Sequence, residues 1–98
     1  MNIQAMMKQA QKLQNDMLKA KKEIDETTFT GESSFVKVEV KGDKKISKIE
    51  IMEKQLSDED IEMLQDVLVV ALNDAMTKID KITEEKMGKY THGMPGIF

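Results

Sequence analysis

Apolar residues in the first 25 positions recur in alternating steps of three and four: Ile3, Met6, Ala10, Leu13, Met17, Ala20 and Ile24. This is a heptad seam about three heptads long, and it predicts one helix over residues 2–25. Neither Gly nor Pro interrupts it. The seam is narrow, with Met7 and Leu18 beside it. A narrow stripe suits a helix that pairs with another helix. Lys8, Lys12, Lys19 and Lys22 fall at the outer heptad positions, opposite the seam.

The period then changes from helical to two. Residues 27–33 are β-leaning, with Thr27, Thr28, Phe29 and Thr30 ahead of Gly31, which reads as a bulge. Over 35–41, Val36, Val38 and Val40 alternate with Lys37, Glu39 and Lys41. That pattern gives a strand with one dry face and one wet face. Gly42-Asp43-Lys44-Lys45 is a turn, and residues 46–51 return as a third strand with Ile49 and Ile51 facing one way. Adjacent strands joined by a short Gly/Asp turn make an antiparallel hairpin.

Ser57-Asp58-Glu59-Asp60 marks the start of a second helix, over about 58–87. Ser57 caps, Asp60 answers from the third helical position, and the acids complement the positive end of the helix dipole. Ile61, Leu64, Leu68, Ala71, Leu72, Ala75, Ile79 and Ile82 recur at helical spacing, and Val67, Val69 and Val70 widen the apolar arc. Burial on two sides is expected of so wide an arc. Gly88 is expected to end the helix, and the Gly/Pro-bearing segment 88–98 reads as an extended, flexible tail. The whole is one α+β domain over residues 1–98: helix, three-stranded antiparallel sheet, helix.

Charge sharpens this picture. The net value is −3, but residues 1–25 carry +2 and residues 57–85 carry −7. All the cations are Lys, which grips phosphate as a point charge and lacks the planar fork that pairs with guanine. The four aromatic residues are too few for a base-stacking platform on single strands. The opening Met1-Asn2-Ile3-Gln4 lacks the apolar run of a signal peptide, and no segment reaches the length of a membrane span. A cytoplasmic protein without a membrane partner is therefore expected.

Catalytic chemistry is hard to assemble from this inventory. There is no Cys, and the one His, His92, sits in the tail without an orienting partner. Asp58, Glu59, Asp60 and Glu62 cannot converge on a metal, because consecutive helix residues point apart. The methionines show no metal-binding spacing. No enzyme activity, metal, cofactor or small-molecule substrate is expected. By physics alone the lysine row fits either a solvated face of a paired helix or a face that tracks phosphates.

Several blocks resemble one family in its own order. They are Met6-Met7-Lys8-Gln9-Ala10-Gln11-Lys12-Leu13-Gln14, then Phe29-Thr30-Gly31 with Val36-Lys37-Val38 and Gly42. After these come Leu64 through Ala75 and the ending Met87-Gly88…Gly93-Met94-Pro95-Gly96-Ile97-Phe98. They resemble the YbaB/EbfC family of bacterial nucleoid-associated proteins over essentially the whole chain. The resemblance implies an α-β-β-β-α protomer, an intertwined tweezer-like homodimer, and binding of double-stranded DNA by the helices, with a role in nucleoid organisation or gene expression. One departure is that Glu32-Ser33-Ser34 stands where many members have a Gly-rich run.

On this reading the candidate DNA-binding residues are Lys8, Lys12, Lys19 and Lys22, then Lys86 and Lys89, with Gln11 and Asn15 beside the row. The candidate dimer interface is Ile3, Met6, Ala10, Leu13 and Met17 of the first helix with Leu68 and Leu72 of the second. Low sequence specificity is expected. The alternative is a dimeric adaptor whose acidic helix or tail docks a partner protein.

Overall fold

The computed structural model describes residues 2–91. In chain order the elements are α1 (Ile3–Glu26), β1 (Thr28–Ser33), β2 (Val36–Lys41), β3 (Ile46–Ile51) and α2 (Asp58–Thr91). The strands form one antiparallel sheet in the order β1-β2-β3, giving the expected α+β architecture.

Local chemistry explains the element ends. Asn2 caps α1 by accepting from the Ala5 N–H at 3.2 Å. At the other end the Thr27 hydroxyl donates to the Glu23 carbonyl at 2.7 Å. Ser57 and Asp60 form a reciprocal capping box: the Asp60 N–H donates to Ser57 Oγ at 3.1 Å, and the Ser57 N–H donates to Asp60 Oδ2 at 3.0 Å.

The helix does not stop at Gly88. It runs on to Thr91, so residues 88–91 of the expected tail are helical. A glycine ends a helix when it takes the left-handed conformation that bonds back onto the last carbonyls. Gly88 does not take it, and its propensity cost of about 1 kcal/mol is too small to break α2 alone. The rest of that tail, His92 included, lies outside the described residues.

The core sits between the sheet and α2. Val36, Val38 and Val40 of β2 are fully buried, facing Val67, Ala71, Ala75 and Ile79 of α2. Small residues at the centre let the two layers close up. Gly31 is the extreme case, because a Cβ built on it would lie 2.0 Å from the Ala71 carbonyl oxygen. Its pairing with Val38 is regular, so the expected bulge is absent there, and glycine serves the close approach of α2. The bulge lies in β3 instead. Glu39 pairs with Lys48 and Val40 with Ile46, leaving Ser47 as the extra residue, its hydroxyl donating to the Glu39 carbonyl at 3.1 Å. The extra residue brings Ile46 onto the same face as Ile49 and Ile51.

α2 covers β1 and β2 but not β3. A helix is about 10 Å wide and strands lie about 4.8 Å apart, so one helix covers about two strands. Ile46, Ile49 and Ile51 consequently remain 42–49% exposed.

Candidate nucleic-acid interface

α1 meets the rest of the chain only through its C-terminal turns. Ile24 is buried and Met17 and Ala20 are half-buried, where the helix packs on α2 and touches β2. A glycine secures this junction as well, since a Cβ on Gly42 would lie 1.8 Å from the Ile24 carbonyl oxygen. Residues 2–16 are exposed throughout and form a free arm. The described chain accordingly measures 72 × 21 × 14 Å.

α1 presents a lysine row and an apolar row on opposite faces. At 100° per residue, Lys8, Lys12, Lys19 and Lys22 lie within an arc of about 80°. The row runs about 21 Å along the axis at 1.5 Å per residue. All four lysines are exposed. Among the described residues the ion pairs engage Lys21 with Asp25, Lys44 with Asp80 and Lys78 with Asp74, so the four row lysines have no carboxylate partner. Gln11 and Asn15 are exposed beside them. On the opposite face Ile3, Met6, Ala10 and Leu13 are exposed and Met17 is half-buried.

The second-rank residues stand on α2. Lys86 and Lys89 are exposed in its last turns, with Lys89 Nζ 5.0 Å from the centroid of the Tyr90 ring. Leu68 and Leu72 are half-buried, and part of their surface already packs on the chain's own core. The acidic turn of α2 is remote from the arm. Lys44, in the turn beside the α1–β1 junction, pairs with Asp80, and Asp58 lies about 33 Å of helix back from there. The first-turn acids Asp58, Glu59 and Asp60 are thus kept apart from the lysine row, whereas Asp80 stands at the junction end of α2. Among the described residues no cluster of three or more His, Cys, Asp or Glu could hold a metal ion, and no helix is long and apolar enough to cross a membrane.

A helical arm with an unpaired lysine face is a feature that comparison with known proteins can place. The model of the YbaB/EbfC DNA-binding family matches residues 1–94. The chain belongs to this family. A nucleoid-associated protein of Ligilactobacillus salivarius is 48% identical, the match covering 99% of this chain and 95% of the relative. A nucleoid-associated protein of Lactococcus lactis subsp. lactis is 47% identical, covering 97% and 98%. One from Enterococcus faecalis is 45% identical, covering 98% and 94%. The family likeness thus spans both helices and the sheet, including the arm.

Proposed function

We propose that this chain binds double-stranded DNA as a homodimer, with low sequence specificity, through the lysine face of α1, and that it acts on the nucleoid in the cytoplasm to influence its organisation and gene expression. The observation that carries the reading is the row Lys8, Lys12, Lys19 and Lys22, exposed along α1 without carboxylate partners, its first two members on the free arm. Its length of about 21 Å matches about six base pairs at 3.4 Å each. Lysines at this spacing meet phosphates one by one and read little sequence. The nucleoid-associated relatives support the choice of DNA over other polyanions. Lys86 and Lys89 would extend the contact along α2.

The homodimer half of the proposal rests on the other face of the arm. An isolated helix of about 15 residues is marginal in water. Ile3, Met6, Met7 and Leu13 are 53–68% exposed in the single chain. A second copy would cover this seam and hold the arm helical.

Duplex binding measured at several salt concentrations tests the proposal. Eight row lysines on a dimer give a slope of log affinity against log salt of about −7 if all meet phosphate. The variant with Lys8, Lys12, Lys19 and Lys22 changed to Gln is expected to lose binding while keeping its fold and mass. Salt-insensitive binding, or unchanged affinity in that variant, would remove the lysine face from the account.

A further inference from the structure

The face of the arm opposite its apolar seam carries more than lysine. At 100° per residue, the arm residues that fall within about 100° of arc on that face are Gln4, Lys8, Gln11, Lys12 and Asn15. All five are exposed. Gln9, Gln14 and Asp16 fall outside the arc, so the stripe holds cations and amides and no carboxylate. Its amides are not engaged locally. Asn2 caps the helix with its side chain, but among the described residues the Gln4, Gln11 and Asn15 side chains have no hydrogen-bond partner. Asn is a poor residue for the middle of a helix, and this helix is already marginal, so Asn15 has no local reason to be there. The first turn of α1 also lacks the acids that α2 carries in its own, which leaves the positive end of the α1 dipole uncompensated.

We propose that Gln4, Gln11 and Asn15 read adenine in the major groove and give the chain a preference for A·T-bearing duplex. This rests on the proposed binding of DNA by the lysine face and names what that face selects. The chemistry points to one base. The planar fork that pairs best with guanine belongs to Arg, and the chain contains none. A side-chain amide donates and accepts at once, which matches the amino group and the N7 acceptor of adenine. Lys8 and Lys12, interleaved with the amides, would hold the flanking phosphates and fix the register.

The dimensions agree with this choice. A helix with its side chains is about 10–12 Å across, and the major groove is about 12 Å wide against about 6 Å for the minor groove. Residues 2–16 are exposed throughout, so the arm can enter the groove with its seam turned away from the bases. Gln11 and Asn15 stand about 6 Å apart along the axis, close to two base-pair steps of about 3.4 Å. Gln4 lies about 10 Å before Gln11, close to three steps. The three amides therefore meet different base pairs of one groove. So few contacts, made by exposed side chains, select composition and not a fixed target, in keeping with low sequence specificity.

Fluorescence anisotropy with duplexes of equal length and charge tests the proposal. One duplex carries A·T pairs and a second only G·C pairs. A third repeats the first with 7-deazaadenine, in which carbon replaces the N7 acceptor while the minor groove is unchanged. The unmodified chain is expected to bind the first at least about fivefold more tightly than either of the others. The Gln4→Ala/Gln11→Ala/Asn15→Ala variant is expected to bind all three alike, with an unchanged slope of log affinity against log salt. Alanine is the best helix former, so this variant keeps the arm helical. A preference that survives the three alanines, or that survives 7-deazaadenine, would overturn the amide reading. Equal, salt-dependent binding of all three duplexes by the unmodified chain would overturn it too, and would leave the lysine face standing. Failure to bind any duplex would remove the DNA reading itself and this proposal with it.

Discussion

Replacing Gly31 with alanine adds one methyl group at the tightest point of the molecule. Its Cβ would lie 2.0 Å from the Ala71 carbonyl oxygen, 2.7 Å from the Ala75 nitrogen and 3.0 Å from the Ala75 Cβ. Two of these three atoms are helix backbone, which no rotamer change can move. To reach even a 3.0 Å contact the sheet and α2 must part by about 1 Å at this point. A gap of that size forfeits about a quarter to a half of the dispersion well for the side chains facing across it. Val38, Ala71 and Ala75 are all fully buried there and all lose contact. Overpacking costs about 1–3 kcal/mol when side chains can yield. With backbone on both sides, the expected loss is about 3–5 kcal/mol. Native domains hold only about 5–15 kcal/mol in total. Urea unfolding followed by far-UV circular dichroism, at one fixed protein concentration, measures the effect. With a slope of about 1–1.5 kcal/mol/M the midpoint should fall by about 2–5 M, or the variant should not fold. Gly88→Ala is the internal control, since among the described residues nothing outside its own helix backbone lies within 4 Å of its Cβ position. There the same chemical change is expected to stabilise by about 0.5–1 kcal/mol. A Gly31→Ala variant within 1 kcal/mol of the parent would refute the close-approach argument.

Other parts of the fold make similar demands. Ser34 holds φ at 51°, so Ser34→Gly should raise stability by about 1 kcal/mol in the same urea assay. Ser57→Ala breaks one half of the capping box and should cost about 1 kcal/mol, read as a lower midpoint with an unchanged slope. Asp74 accepts from the Glu32 N–H and Lys78 donates to the Thr30 carbonyl, which covers the β1 edge. Asp74→Ala combined with Lys78→Ala uncovers it, and light scattering should then report assemblies larger than those of the parent at equal concentration.

Much of the fold follows from local patterns. The Val36, Val38, Val40 alternation needs only its own strand to be read, and Ser57 with Asp60 needs only one turn. The arm is legible for the same reason, because seam and lysine row are both periodic in a single helix. What the pattern missed depends on distant partners or on one added residue. The role of Gly31 lies in a carbonyl forty positions away, and in sequence a glycine for close approach looks like a glycine for a bulge. The extra residue at Ser47 shifts Ile46 onto the dry face, which strict alternation assigns to the wet one. Gly88 carries the usual mark of a helix stop, yet a stop also requires the left-handed turn that it does not make. Leu68 and Leu72 read simply as interface positions, and the fold divides their surface between the chain's own core and the uncovered flank.

The free arm of α1 has a consequence for dosage. An arm that cannot hold itself together alone keeps Lys8 and Lys12 in line with the anchored Lys19 and Lys22 only while something covers its seam. With a second copy as the cover, the proposed DNA-binding face would exist in proportion to the assembled form. At low abundance that form grows with the square of the chain concentration, so occupancy of DNA should rise more steeply than abundance. Halving expression would then remove more than half of the bound protein, without any effector or modification.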